Sequence, residues 1–201
     1  MSTVQIPRRE REKIQRRQDI LHAAARVFAE EGFEKANLDH IASLTELSKG
    51  ALYYYFNSKE ELYLSVLTEG HQCFLQMIEK ARDSVTARSS IKQIIYTMMK
   101  LMHSKSDFLK IIMREKMKEV MGLPSHFHTV LIQQQDLIAR KIYDIFKKGI
   151  DDGEIRNYDP ELLVLIIFGM VHACTLCKKH TPGLGADTIT NILFDGVANY
   201  A

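Results

Sequence analysis

The chain has 201 residues, 27 Lys+Arg against 25 Asp+Glu for a formal net charge of +2, and 46% apolar with 26% charged residues. That is long enough for one domain or two small ones with a proper core, and such a composition excludes wholesale disorder. A charge of +2 also excludes nucleic-acid binding driven by a strong overall field, so any such binding must rest on charge placed unevenly.

The placement is uneven from the start. Residues 1–17 carry Arg8, Arg9, Arg11, Lys13, Arg16 and Arg17 against Glu10 and Glu12, a local +4 that leaves −2 for the rest. Two readings of this basic arm, residues 1–16, stand side by side: a frayed, solubilising terminus, or an arm that seeks phosphates or a minor groove. No apolar stretch follows it, as a secretory signal would require. The three cysteines, Cys73, Cys174 and Cys177, form no disulfide framework, and the expected compartment is a reducing cytoplasm.

Residues 8–123 contain no proline and are helix-periodic. Ile20, Leu21, Ala24, Val27 and Phe28 make the stripe of a first helix. Gly32 closes it, and a Schellman cap there would pair Phe33 with Phe28. A short helix follows over Asn37 to Thr45, with Asn37 as N-cap. After a turn of about four residues, Thr45 to Ser48, a second short helix runs from Ser48 to about Phe56. Ser58 and Glu61 form a capping box for a longer helix with Leu62, Val66, Phe74 and Met77 inward. Ile91, Ile94, Ile95, Met98 and Met102 mark another helix, and Phe108, Ile112 and Val120 a further one. A long helix runs from about Pro124 to Asp151, stopped by Asp152-Gly153. Asp159-Pro160-Glu161 is a strong helix start, and Ile189, Ile192, Leu193 and Val197 mark the last helix. With no alternating strand and no hairpin signal, the expectation is an all-α chain of about nine helices. The apolar run Leu162–Cys177 is 16 residues, short of the ~20 a membrane span needs. It reads as a helix buried on nearly every side.

The sharpest local signal is residues 37–59, NLDHIASLTELSKGALYYYFNSK. Leu38, Ile41, Ala42, Leu47, Leu52 and Phe56 can form one cluster between two short helices. Ser48 caps the second, and Lys49-Gly50-Ala51 leaves its start open to close approach by a phosphate. Tyr53 and Tyr54 point away from the Leu52/Phe56 side. They either pack between helices or meet base edges and phosphates in a major groove. The combination of two short helices, a capped start and an upstream basic arm favours the groove.

Residues 17–63 resemble the DNA-binding domain of the TetR family of transcriptional regulators. The resemblance is carried by Ile20, Ala23-Ala24, Phe28, Gly32-Phe33, Ile41-Ala42, Ser48-Lys49-Gly50, Leu52-Tyr53-Tyr54, Phe56, Ser58-Lys59-Glu60 and Leu62. It implies an N-terminal three-helix helix-turn-helix domain (residues 17–63, the motif at about 38–57) and a C-terminal helical ligand-binding and dimerisation domain (residues 64–201). It implies DNA contact by Asn37, Asp39, Ser48, Lys49, Gly50, Tyr53, Tyr54, Tyr55 and Lys59, no cofactor, no metal and no enzymatic activity. It further implies a homodimeric repressor that a small, apolar ligand releases from double-stranded operator DNA. Three positions depart from the family's habits. Glu46 stands in the turn where Gly is frequent, costing about 1 kcal/mol if φ there is positive. Tyr55 replaces a frequent His. Asp39 stands where other members can place a base- or phosphate-reading side chain; it repels phosphate but can accept from a cytosine amine.

In the C-terminal part, helices at about 159–179 and 186–200 are the expected dimer elements, forming a four-helix bundle across a two-fold axis. Six methionines lie between Met98 and Met121. They are either ordinary core or a pliable pocket wall, with Met98, Met102, Met113, Met117, Phe168 and His172 as candidate ligand contacts. His172, Cys174, Cys177 and His180 are close in sequence. A thiol or metal sensor built on Cys174/Cys177 is the alternative to inert packing, and a small helical enzyme is the alternative class. No G-x-S-x-G, phosphate loop or H-E-x-x-H supports that class.

Overall fold

The helices follow from the caps and stripes just described. The computed structural model describes residues 7–82, 85–102, 107–108, 111, 125–176 and 185–197. Among them are eight helices: α1 (Arg8–Glu31), α2 (Leu38–Leu44), α3 (Lys49–Tyr55), α4 (Lys59–Arg82), α5 (Ala87–Met102), α6 (Ser125–Asp151), α7 (Pro160–Leu176) and α8 (Ala186–Val197). The described residues hold no strand, and the fold is all-α. The helix expected over Phe108–Val120 lies outside the described residues except at Phe108 and Ile111.

The chain divides into two compact units, residues 1–70 with 106–131, and residues 71–105 with 132–201. The sequence places the boundary after residue 63; the units divide within α4, after Gly70. The physical reason is packing. Leu62, Tyr63, Val66 and Leu67 of α4, together with Phe108, Ile111 and Leu131, are buried in the same core as Ile20, Val27, Phe28, Ile41, Leu52 and Phe56.

Within the first unit, α1 starts at Arg8, so residues 8–16 of the basic arm are helical turns. Glu10 and Arg11 N–H donate to the Pro7 carbonyl (3.0 and 3.1 Å), and Arg8 pairs with Glu12 at i,i+4 (2.7 Å). At the far end Gly32 has φ 79° and ψ 164°, a region open essentially to glycine alone. Its N–H donates to the Phe28 carbonyl at 3.0 Å, which is not the bonding of a Schellman motif. The expected ring pairing is nonetheless made: Phe28 and Phe33 lie 6.2 Å apart, and Tyr63 meets both, at 5.0 and 4.8 Å.

The Schellman motif occurs one helix later. Leu47 N–H donates to the Ala42 carbonyl (2.9 Å) and Glu46 N–H to the Ser43 carbonyl (3.2 Å), with Glu46 at φ 56°. It turns the chain from α2 into α3 with no glycine. Thr45 is buried in this turn, its hydroxyl donating to the Ile41 or Ala42 carbonyl, each at 3.1 Å. At the start of α4, Ser58 Oγ accepts from Glu61 N–H (3.1 Å), as a capping box requires. The Glu61 carboxylate, however, accepts from Asn57 N–H (3.0 Å) and the Asn57 amide (2.8 Å), one residue earlier than the box prescribes.

In the second unit, α5 packs against both α7 and α8. Ile91, Ile94, Ile95 and Met98 of α5 are buried, as are Leu163, Val164, Ile167 and Val171 of α7 and Ile189, Leu193 and Phe194 of α8. The start of α5 is capped twice. Thr86 and Ser89 exchange hydroxyl and N–H bonds, and Glu154 accepts from Ala87 N–H (2.8 Å). Glu154 is delivered there by the turn after α6, where Gly153 has φ 77°. Asp159 caps α7 by accepting from Glu161 N–H (2.9 Å). Helix α7 is not buried on nearly every side: Leu162, Leu165 and Ile166 are exposed, Leu165 at 68%, and Ile192 of α8 is exposed at 60%. No described helix is long and apolar enough to cross a membrane.

Candidate nucleic-acid interface

Two short helices, each of seven residues, need their caps to persist, and both have them. Asn37 Oδ1 accepts from Asp39 N–H at 2.8 Å, and Ser48 Oγ accepts from Ala51 N–H at 3.2 Å. The side chains of Asn37 and Ser48 therefore serve first to fix α2 and α3. Leu38, Ile41 and Ala42 of α2, and Leu52 with Phe56 of α3, face the core. That fixes the opposite side of α3 as the surface on which Lys49, Gly50, Tyr53 and Tyr54 stand exposed.

The three tyrosines divide. Tyr53 and Tyr54 are exposed, Tyr54 at 72%, whereas Tyr55 is half-buried against the core and meets Tyr54 edge-on at 5.3 Å. Lys13 of α1 sits 5.4 Å over the Tyr54 ring, and Arg17 lies 4.7 Å over Phe56. An open groove of about 770 Å³ runs between the first turns of α1 and the end of α3. Arg9, Lys13 and Arg16 line it together with Glu10, Glu12 and Asp19, beside Tyr54 and Tyr55. The charged first turns of α1 thus lie alongside the tyrosines. Sequence reading missed that contact, because a stretch of charged residues with no apolar stripe gives no period to place it.

The cations of the surface have partners. Lys49 Nζ lies 2.9 Å from Asp39 Oδ2, both side chains about half exposed. The hydrogen bond to Asp39, and then the attraction of its charge, hold the Lys49 ammonium above its ordinary pKa. Lys59 Nζ donates to the Glu34 carbonyl (3.1 Å) and lies 4.8 Å over the Phe33 ring. A Cβ at Gly50 would meet only Ser48 Oγ, at 3.9 Å, so packing does not require glycine there. Phenol hydroxyls that donate and accept, an ammonium and an uncovered backbone on one exposed helix face suit a polar, anionic surface.

The other candidate residues are dispersed. Met98 is buried in the α5 core (2% exposed), Phe168 is half-buried and His172 is exposed. Met102 ends α5, with its side chain outside the described residues, and Met113 and Met117 lie wholly outside them. Among the described residues of this unit are two cavities. One, of about 160 Å³, has Ala87, Asp144, Lys148 and Glu154 in its wall; the other, of about 360 Å³, has Arg140, Tyr143, Glu161 and Leu165. Met98, Phe168 and His172 line neither. Cys177, His180 and the Cys174 side chain lie outside the described residues, and among those described no three His, Cys, Asp or Glu are grouped to hold a metal ion.

Comparison with known proteins places these elements. Residues 20–66 match the family model described as bacterial regulatory proteins, tetR family, and residues 84–176 match a tetracyclin repressor-like C-terminal domain. The HTH-type transcriptional regulator RutR of Escherichia coli K12 is 30% identical over 149 residues, 74% of this chain and 68% of RutR. Among solved structures, AibR in complex with isovaleryl coenzyme A and operator DNA superposes with a TM-score of 0.74 at 20% identity, over 91% of this chain and 98% of AibR. FadR of Bacillus subtilis in complex with stearoyl-CoA does so with a TM-score of 0.74 at 20% identity, over 89% and 98%.

Proposed function

This chain belongs to the TetR family of bacterial transcriptional regulators, and from that premise we propose that it is a homodimeric repressor which a small apolar ligand releases from its operator. It is a transcription factor and not an enzyme. The observation that carries the DNA-binding reading is the exposed face of α3, with Tyr53, Tyr54, Lys49 and Gly50 outward and Leu52 and Phe56 inward. On this reading α3 enters the major groove. Tyr53 and Tyr54 meet bases and phosphates there, with Tyr55 at the edge of the contact. Asn37, Asp39, Ser48 and Lys59 border it from the starts of α2, α3 and α4. Lys13 of α1 places a positive charge over the Tyr54 ring. The organisation proposed is an arm over residues 1–16, a reader over 17–63 and a sensor and dimer scaffold over 64–201, working in the cytoplasm.

The dimer reading is supported by the apolar residues that α7 and α8 leave exposed: Leu162, Leu165, Ile166 and Ile192. Reading a two-fold operator would require such a dimer to hold two copies of α3 roughly 34–36 Å apart, one turn of groove. For the effector, Met98, Met102, Met113, Met117, Phe168 and His172 remain the proposed contacts. The acyl-CoA molecules held by AibR and FadR make acyl thioesters the first class to try.

Selection of bound DNA from a random duplex pool tests this, repeated with acyl-CoA thioesters of increasing chain length in the release step. Recovery of a two-fold symmetric sequence, shed in the presence of one thioester class, is the expected result. Recovery of no sequence from the pool contradicts the reading.

A further inference from the structure

Resting on the DNA-binding reading above, we propose that Asp39 is a specificity-determining residue, which holds Lys49 in an ion pair that DNA of matching sequence releases and other DNA does not. The pair joins the first turn of α2 to the first residue of α3, Asp39 Oδ2 to Lys49 Nζ, at 2.9 Å. Its side chains are 58% and 49% exposed, so it contributes little to folding. It stands beside Gly50, whose backbone carries no side chain and has only Ser48 Oγ near the place of a Cβ, at 3.9 Å. The hydrogen bond to Asp39, and then the attraction of its charge, raise the Lys49 pKa above its ordinary value.

The consequence is electrostatic. Against DNA of arbitrary sequence the pair has no net charge and releases no counterion. A phosphate that takes Lys49 leaves the Asp39 carboxylate facing a polyanion. Against a cytosine whose N4 amine reaches Asp39, the carboxylate accepts a hydrogen bond and Lys49 is freed for a phosphate or a guanine edge. Asp39 therefore weakens binding to most sequences and rewards a C·G pair at one position of each half-site.

The test uses the full-length chain, a labelled duplex of mixed sequence, and the duplex that the wild type selects from a random pool. Asp39→Asn preserves the backbone N–H that Asn37 accepts from. It is expected to bind mixed-sequence DNA more tightly, with the slope of log K against log salt steeper by about 0.9, one additional phosphate neutralised. Its advantage over wild type then shrinks about 3.5-fold between about 50 and 200 mM salt. Repeated selection with Asp39→Ala, which removes the acceptor that Asn would keep, is expected to lose the C·G preference at one position per half-site. Asp39→Glu, which keeps the charge, is expected to keep the wild-type slope. An unchanged slope for Asp39→Asn, or base preferences of Asp39→Ala identical to wild type at every position, overturns the inference while leaving DNA binding intact. Failure of the wild type to select any DNA removes the DNA-binding reading and this inference with it.

Discussion

Gly32 and Glu46 both hold positive φ, and they were chosen differently. Gly32, at φ 79° and ψ 164°, occupies backbone space that a Cβ forbids. Gly32→Ala is expected to lose about 1–3 kcal/mol, read from the midpoint of urea unfolding at unchanged slope. Glu46, at φ 56°, occupies the C′ position of a Schellman motif that glycine usually fills. Glu46→Gly relieves about 1–2 kcal/mol of left-handed strain and gives back about 0.4–1 in unfolded-chain entropy. A net gain of up to about 1.6 kcal/mol is expected by the same measurement. Tyr54, at 72% exposure, makes the opposite prediction. Tyr54→Ala is expected to leave the melting temperature nearly unchanged and to weaken operator binding about ten-fold or more, as the loss of a base contact does. A loss of stability without loss of affinity would assign Tyr54 to packing.

At the scale of elements, local chemistry was legible and long-range pairing was not. Asn37, Ser48, Ser58 and Asp159 each accept the bond that their position near a helix start foretells. Cap chemistry depends on neighbours two or three residues away, and a sequence displays those. How the first turns of α1 pack was not legible, because Arg8 to Arg17 hold one apolar residue, Ile14, and so no stripe that fixes a face; i,i+4 pairs such as Arg8–Glu12 support the helix there. Nor was the Lys49–Asp39 pair, whose members sit ten residues apart across a turn. The Schellman motif was expected at Gly32 because glycine marks such motifs, yet the bonds that define it form around Glu46. The outward face of α3 was legible because one apolar side fixes the other: Leu52 and Phe56 inward put Tyr53 and Tyr54 outward. A seven-residue helix depends heavily on its cap. Ser48→Ala is expected to cost about 1 kcal/mol in thermal unfolding. It should also weaken operator binding, since it loosens the helix that carries Tyr53 and Tyr54. Affinity unchanged by this substitution would mean that α3 does not position the contact.

For the whole molecule, the net charge of +2 misleads about partners and the apolar surface is more telling. Leu165 at 68% exposure and Ile192 at 60% lie on helices whose other sides are packed. Leu165→Glu is expected to convert a dimer into a monomer in sedimentation at micromolar concentration. Operator affinity should then fall by about 10²–10⁴, the advantage that two linked reading heads confer. A wild type that sediments as a monomer would contradict the dimer. On the proposed dimer, operator binding comes from a few placed cations and helix faces used twice, and each phosphate met should release its counterion. Titration of the full-length chain on its selected duplex at increasing salt tests this most directly. DNA reading predicts that log K falls linearly with log salt, by about 0.9 for each phosphate contacted and several units in all. An affinity that stays flat as salt rises would contradict it.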